Sequence, residues 1–232
     1  MRKLLTAMAA CFLAAGVASA QGQAQGQPPP PPPPSYAPPP PYTPAPGYGQ
    51  PMARGFHTHD GFFLQMDFGL GAMKSSASSG GTTLDMSGTA SQFSLAVGGA
   101  VSPNLILACH LWGASVSDPD VALNGTTVGT ASGTLSMTGF GVNLTYYFMP
   151  INVYLSVTPS IGVLTAESGG TTSETKNGFA LRLAAGKEWW VSDNWGLGAN
   201  VSFAHSSNED QGTNPPTWGT NWFGIALSAS YN

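Results

Sequence analysis

Phe62-Phe63-Leu64-Gln65-Met66-Asp67-Phe68-Gly69-Leu70-Gly71-Ala72 alternates strictly. Phe62, Leu64, Met66, Phe68 and Leu70 take every second position, with Gln65, Asp67, Gly69 and Gly71 between them. Side chains along an extended strand point alternately to opposite faces. A period of two therefore gives one apolar face and one face of different chemistry. Seven segments downstream repeat the pattern, so strands are expected over 61–73, 92–101, 104–116, 134–149, 152–165, 178–191, 194–206 and 219–231. Pro159 interrupts the fifth, where a bulge is expected because proline cannot donate to a ladder.

The connections alternate in length. Ser102-Pro103, Pro150-Ile151 and Ser192-Asp193 read as tight turns, whereas 74–91, 117–133, 166–177 and 207–218 read as long polar loops. Short turns on one side and long loops on the other are the layout of transmembrane barrels. An even strand count puts both ends of the barrel chain on the short-turn side. The expected fold is all-β: an eight-stranded antiparallel up-and-down transmembrane β-barrel.

Periodicity alone does not separate such a barrel from a soluble one, but composition does. Charged residues make up 8% of the chain, about a third of the share usual in a soluble domain. The face opposite the apolar one is mostly Gly, Ala, Ser, Thr and Asn, which suits a narrow lumen. The few strand charges share its parity. Gln65, Asp67, His110, Asn143, Arg182 and Glu188 are expected to form a packed polar lumen network, with Arg182 serving two carboxylates. A basic side chain turned instead to the bilayer midplane would cost about 2–4 kcal/mol. Lys187, on the other parity, lies near a strand end where its ammonium can snorkel. Tyr146, Tyr147, Phe148, Trp189, Trp190 and Trp195 are expected as an aromatic girdle on the short-turn side, while Trp112, Phe179, Phe203, Trp218 and Trp222 lie near the opposite ends, not all of them on the outward parity.

The chain opens with Arg2 and Lys3, an apolar run over 4–17, and Ala18-Ser19-Ala20. A signal peptide is therefore expected over 1–20, with cleavage after Ala20. Residues 21–60 are expected as a Pro-rich disordered periplasmic linker, with fourteen prolines between positions 28 and 51, ahead of the barrel at 61–232. The first reading of this composition is a stiff polyproline II spacer; the second is a ligand for periplasmic or cell-wall components. A lipoprotein reading of Cys11 is set aside because Phe12-Leu13 after it stay apolar. Cys109 is read as a small buried hydrophobe. Without Arg2 and Lys3, five basic residues face eleven acidic ones, which disfavours nucleic acid as a partner. The expected location is the bacterial outer membrane with both termini periplasmic, and the expected partners are outer-membrane lipids and lipopolysaccharide around a monomer.

The signal, the eight strands, the loop alternation and the aromatic ending together resemble the OmpA-type eight-stranded outer-membrane barrels, over 61–232. Gly186-Lys187-Glu188-Trp189-Trp190-Val191-Ser192-Asp193-Asn194-Trp195-Gly196-Leu197-Gly198 looks like a segment common in barrel proteins of Gram-negative bacteria. The last strand, with Gly224, Leu227, Ala229 and Tyr231, resembles their assembly signal and departs from it by ending in Asn232. The resemblance implies fold and location, and no particular activity.

Two motifs could carry chemistry. His205-Ser206-Ser207-Asn208 resembles the His-x-Ser-Asn motif of outer-membrane lipid A deacylases. The resemblance implies His205 as base and Ser207 as nucleophile on an acyl ester. That family places an orienting carboxylate about fourteen residues further on; here Trp218-Gly219-Thr220 holds none. A polar strand end is the simpler reading. His57-Thr58-His59-Asp60 could ligate a metal, but a closed site needs four ligands, and linker polarity is expected instead. No cofactor or metal is expected. The leading expectation is a non-enzymatic integral outer-membrane barrel, structural or acting through its loops. The alternatives are a lipid A deacylase-like enzyme and a narrow pore for small or apolar solutes.

Overall fold

The computed structural model describes residues 57–232. The expected signal peptide, Cys11 and the proline run lie outside the described residues. Eleven strands follow in chain order: β1 Phe62–Ser79, β2 Thr82–Ser102, β3 Leu105–Ser117, β4 Asp120–Leu123, β5 Thr126–Thr130, β6 Thr134–Phe148, β7 Val153–Ser168, β8 Thr171–Glu174, β9 Gly178–Trp190, β10 Trp195–Glu209 and β11 Thr217–Tyr231.

Eight of them form one antiparallel ring, β1-β2-β3-β6-β7-β9-β10-β11. Pairing of β1 with β11, from Leu64↔Tyr231 to Ala77↔Trp218, closes it. Closure satisfies both edges of every barrel strand and leaves no open ladder. The pleat sorts the side chains as the alternation dictates. On β1, Phe63, Gln65, Asp67, Met73 and Ser75 are buried, while Phe62, Phe68 and Leu70 are exposed.

All four expected loops contain strand, the last of them only at its ends, where β10 runs on to Glu209 and β11 begins at Thr217. The β1–β2 ladder continues past Met73 to Ser79↔Thr82. There Gly80 and Gly81 turn the chain with φ of 58° and 82°, and such consecutive left-handed residues favour glycine in a two-residue hairpin. Segment 117–133 forms the β4–β5 hairpin, added to β2 through Leu84↔Leu123 to Ser87↔Asp120. Segment 166–177 carries β8 on β7. Beyond the apolar band a strand needs no greasy face, so the hydropathic alternation fades while backbone groups still require partners.

Two local expectations are corrected. No bulge forms at Pro159: register stays constant from Gly141↔Ser160 to Leu144↔Val157, and the ladder to β6 omits only the two pairs between them. Cys109 is not core; it stands half-buried on the outward face of β3, opposite Val97 and Val142.

The interior is tiered. The long-loop half holds an apolar cluster of Met73, Trp112, Val116, Leu135, Met137, Leu164 and Trp222. Trp112 and Trp222 therefore serve the lumen and not an outer belt. Trp112 lies flat because Gly139 opposes it: a Cβ there would stand 2.4 Å from the ring. Its Nε1 donates to Ser160 Oγ at 3.0 Å. The middle is polar. The short-turn half holds Phe63, Ile106, Tyr147 and Tyr154.

Candidate functional site

The polar residues of the lumen form three linked groups. In the middle tier Asp67 (β1) and Arg182 (β9) are each 3% exposed and meet at 3.3 Å, Arg182 Nη2 to Asp67 Oδ2. Ser94 of β2 donates to the same carboxylate oxygen at 2.7 Å. Arg182 Nη2 also donates to Ser202 of β10 at 3.3 Å. One ion pair thus ties four strands across the barrel. Asp67 Oδ1 and Arg182 Nε find no hydrogen-bond partner.

Beside it, His110 Nδ1 lies 3.0 Å from Thr158 Oγ1. Asn143 Nδ2 donates to Thr158 at 2.9 Å and to Ser156, and its Oδ1 accepts from Thr145 at 2.7 Å.

Glu188 does not share Arg182. Neutral donors hold it: Ser230 at 2.7 Å, Gln65 at 3.1 Å and the Tyr147 hydroxyl at 3.3 Å. Gln65 also donates to the Tyr154 hydroxyl at 3.2 Å. The reason is spacing. Arg182 and Glu188 sit six residues apart on one strand, about 20 Å at ~3.3 Å per residue, beyond the reach of one side chain.

The third group seals the short-turn mouth. His57 to Asp60 was expected as linker, yet His59 is 1% exposed. Its ring stacks on Tyr147 with centroids 3.5 Å apart. Its nitrogens meet Asn152 Oδ1 at 2.8 Å and Asn232 Oδ1 at 2.7 Å. Asn152 lies in the β6–β7 turn with φ of 53°, a conformation asparagine tolerates. A neutral imidazole carries one N–H, so one of these amides turns its NH2 to the ring; neither amide nitrogen has another partner. Burial lowers the His59 pKa below its usual 6.5, against the smaller opposing effects of the two amides and Asp60. Trp190 stacks on His57 at 5.1 Å. The His59 carbonyl accepts from Asn104 N at 3.0 Å. Both ring nitrogens of His59 are committed, and among the described residues no cluster of three potential metal ligands forms.

Tyr147 and Trp190, expected in the girdle, point inward. Tyr146, Phe148, Trp189 and Trp195 point outward and are exposed. Trp195 packs edge-on to Tyr231 at 5.3 Å, and Tyr146 to Phe148 at 5.0 Å. Asn152, Tyr154, Ser230 and Asn232 escaped sequence reasoning; parity places Tyr154 and Ser230 inside, while the two asparagines are joined to His59 only by the fold.

His205 and Ser207 lie on the outward face at the long-loop end of β10. His205 Nδ1 is 3.0 Å from Oδ1 of Asn221, its cross-strand neighbour. Among the described residues no hydrogen bond joins His205 to Ser207, and Glu209 pairs with Lys176 at 3.2 Å. The amide orients the imidazole without the charge that would stabilise an imidazolium.

Fold and interior together define the class: a closed eight-stranded antiparallel barrel, apolar outside and filled within. No family model matches the chain, and no curated protein matches it. Among solved structures it is similar to Neisserial surface protein A, at 18% identity over 72% of this chain and 96% of that one, with a TM-score of 0.43. It is also similar to the outer membrane protein AlkL, at 14% identity over 80% and 94%, TM-score 0.46. Outer membrane protein OprG from Pseudomonas aeruginosa is a third, at 12% identity over 75% and 96%, TM-score 0.40.

Proposed function

We propose that this chain is an integral protein of a bacterial outer membrane, of the OmpA-type barrel kind, which acts as a structural element or through its loops and not as a pore. One observation carries the reading: every barrel strand exposes large apolar side chains outward around a lumen that is filled from end to end. Leu227 is 74% exposed, Ile161 64% and Ile225 63%. A soluble monomer rarely exposes one apolar patch of more than ~600 Å², and a continuous apolar girdle has hydrocarbon as its natural solvent. Membrane-spanning strands must also close into a barrel. The short-turn end, with its girdle, faces the periplasm in this reading, and β4, β5 and β8 stand on the outer side.

Apolar packing, the Asp67–Arg182 pair and the His59 stack occupy the lumen in turn, which disfavours conduction. Purified protein is expected to migrate differently in detergent gels before and after boiling, and to insert into planar bilayers without conductance. Identical migration would contradict the barrel in lipid; steady single-channel currents would contradict the filled lumen.

A further inference from the structure

Four lysines and arginines fall among the described residues, and three meet carboxylates: Lys74 with Asp85 at 3.0 Å, Lys176 with Glu209 at 3.2 Å, and Arg182 with Asp67 at 3.3 Å. Lys187 meets none. Its Nζ donates to the carbonyl of Ile151 and lies 5.6 Å above the Trp189 ring. It stands on the outward face of β9, three residues from the strand's short-turn end. Its cross-strand neighbours are Val153 and Ala199.

The apolar surface beside Lys187 is not uniform. Two grooves of about 550 and 540 Å³ run along the barrel exterior. One passes Tyr146, Leu155 and Leu183; the other passes Ala199, Phe68 and Leu227. Both are bordered by Ala185 and Val201. Ala185 lies two residues from Lys187 on the same face, about 7 Å along the strand. The small side chains of Ala185 and Ala199 leave the space that the surrounding Leu, Phe and Val side chains enclose. A single cation thus stands two residues along β9 from Ala185, beside the border that the two apolar grooves share.

We propose that Lys187 and the grooves meeting at Ala185 hold one diacyl phospholipid with an anionic headgroup, from the periplasmic leaflet. The phosphate meets the ammonium, the Trp189 ring flanks the headgroup, and one acyl chain lies in each groove. Charge complementarity selects the headgroup, because Lys187 is at the membrane interface without a protein anion. The paired grooves select two chains over a single-chain amphiphile. The inference rests on the outer-membrane reading and on its orientation.

The test is native mass spectrometry of the full chain released from detergent, after the gel shift on boiling has verified folding. Phosphatidylglycerol is compared with phosphatidylcholine of the same acyl chains. One phosphatidylglycerol is expected to be retained about fivefold more than phosphatidylcholine, the order of effect of one interfacial lysine. Lys187→Gln should abolish that preference and Lys187→Arg should keep it. Ala185→Phe, which fills the junction, should reduce retention of both lipids. Inorganic phosphate in excess should displace nothing, which separates a lipid from a free anion. Equal retention of the two lipids, or an unchanged preference in Lys187→Gln, overturns the site while the gel shift still upholds the barrel. Loss of the gel shift in the wild-type protein overturns the outer-membrane reading itself.

Discussion

Asp67 and Arg182 are buried together, and neither tolerates the loss of the other. Removing one partner of a buried pair leaves an uncompensated charge, at about 3–5 kcal/mol. Asp67→Leu or Arg182→Met alone should lower the urea unfolding free energy in lipid vesicles by that amount. The double variant should recover much of it; a double variant as unstable as the sum of the singles would show no coupling. His59 carries a pH dependence of definite sign. Its folded pKa lies below its unfolded value of about 6.5, so the unfolded chain binds the proton more readily. The stability it contributes is present above pH 6.5 and is lost as pH falls through the lowered folded value. Unfolding curves between pH 7 and 5 should fall more steeply for the wild type than for His59→Gln; parallel curves would show that His59 does not titrate in this range. Parity in the sequence sufficed to place Gln65, Asp67, His110, Asn143, Arg182 and Glu188 on one face. Their partners depend on strand register and on distance along β9, which is why Glu188 meets Tyr147, Gln65 and Ser230 and not Arg182.

At the scale of elements, strand positions were legible wherever one face is apolar, and ladders were missed where neither face is. The hairpin beyond Met73 is mostly Ser, Thr, Gly and Ala, with the Lys74–Asp85 pair and few large apolar residues, and reads as a loop. The folded segment at His57 to Asp60 was missed for a different reason: its stack on Tyr147 is a long-range contact that no local pattern encodes. The tip of the outer hairpin is held by its own ladder and by Thr83, whose N–H donates to Asn124 Oδ1 and whose carbonyl accepts from Asn124 N, each at 2.8 Å. Removing Ser78, Ser79, Thr82 and Thr83 would move the Gly80-Gly81 turn two pairs inward without changing register. That deletion should cost about 1–2 kcal/mol, through the two hydrogen bonds to Asn124, and a lost gel shift on boiling would show that the tip supports the barrel. Gly139 behaves oppositely. Gly139→Ala places a methyl against the Trp112 ring and should cost about 1–3 kcal/mol through overpacking. An unchanged unfolding midpoint would mean that Trp112 has another rotamer available in the apolar tier.

For the molecule as a whole, the alternation opening at Phe62 acquires its meaning from closure. Eight strands each turn one face outward, and the ring gives those faces a common exterior. The lumen is filled differently at each height: apolar toward the long loops, charged in the middle, aromatic at the short turns. Composition implied the apolar exterior, through a charge content too low for a water-covered surface. It did not reveal the apolar tier, because composition does not say at which height of the lumen Trp112, Met137 and Trp222 come together. The most direct test is a nitroxide scan of β11 from Asn221 to Ser230, in a cysteine-free background reconstituted in lipid bilayers. Each label is read for collision with oxygen, which enters lipid, and with a water-soluble nickel chelate, which does not. Phe223, Ile225 and Leu227 should collide with oxygen and not with nickel, while Trp222, Gly224, Ala226 and Ser228 should be shielded from both. Nickel collisions at Phe223, Ile225 and Leu227 would contradict a lipid-facing exterior, and nickel collisions at Gly224, Ala226 and Ser228 would contradict a filled lumen.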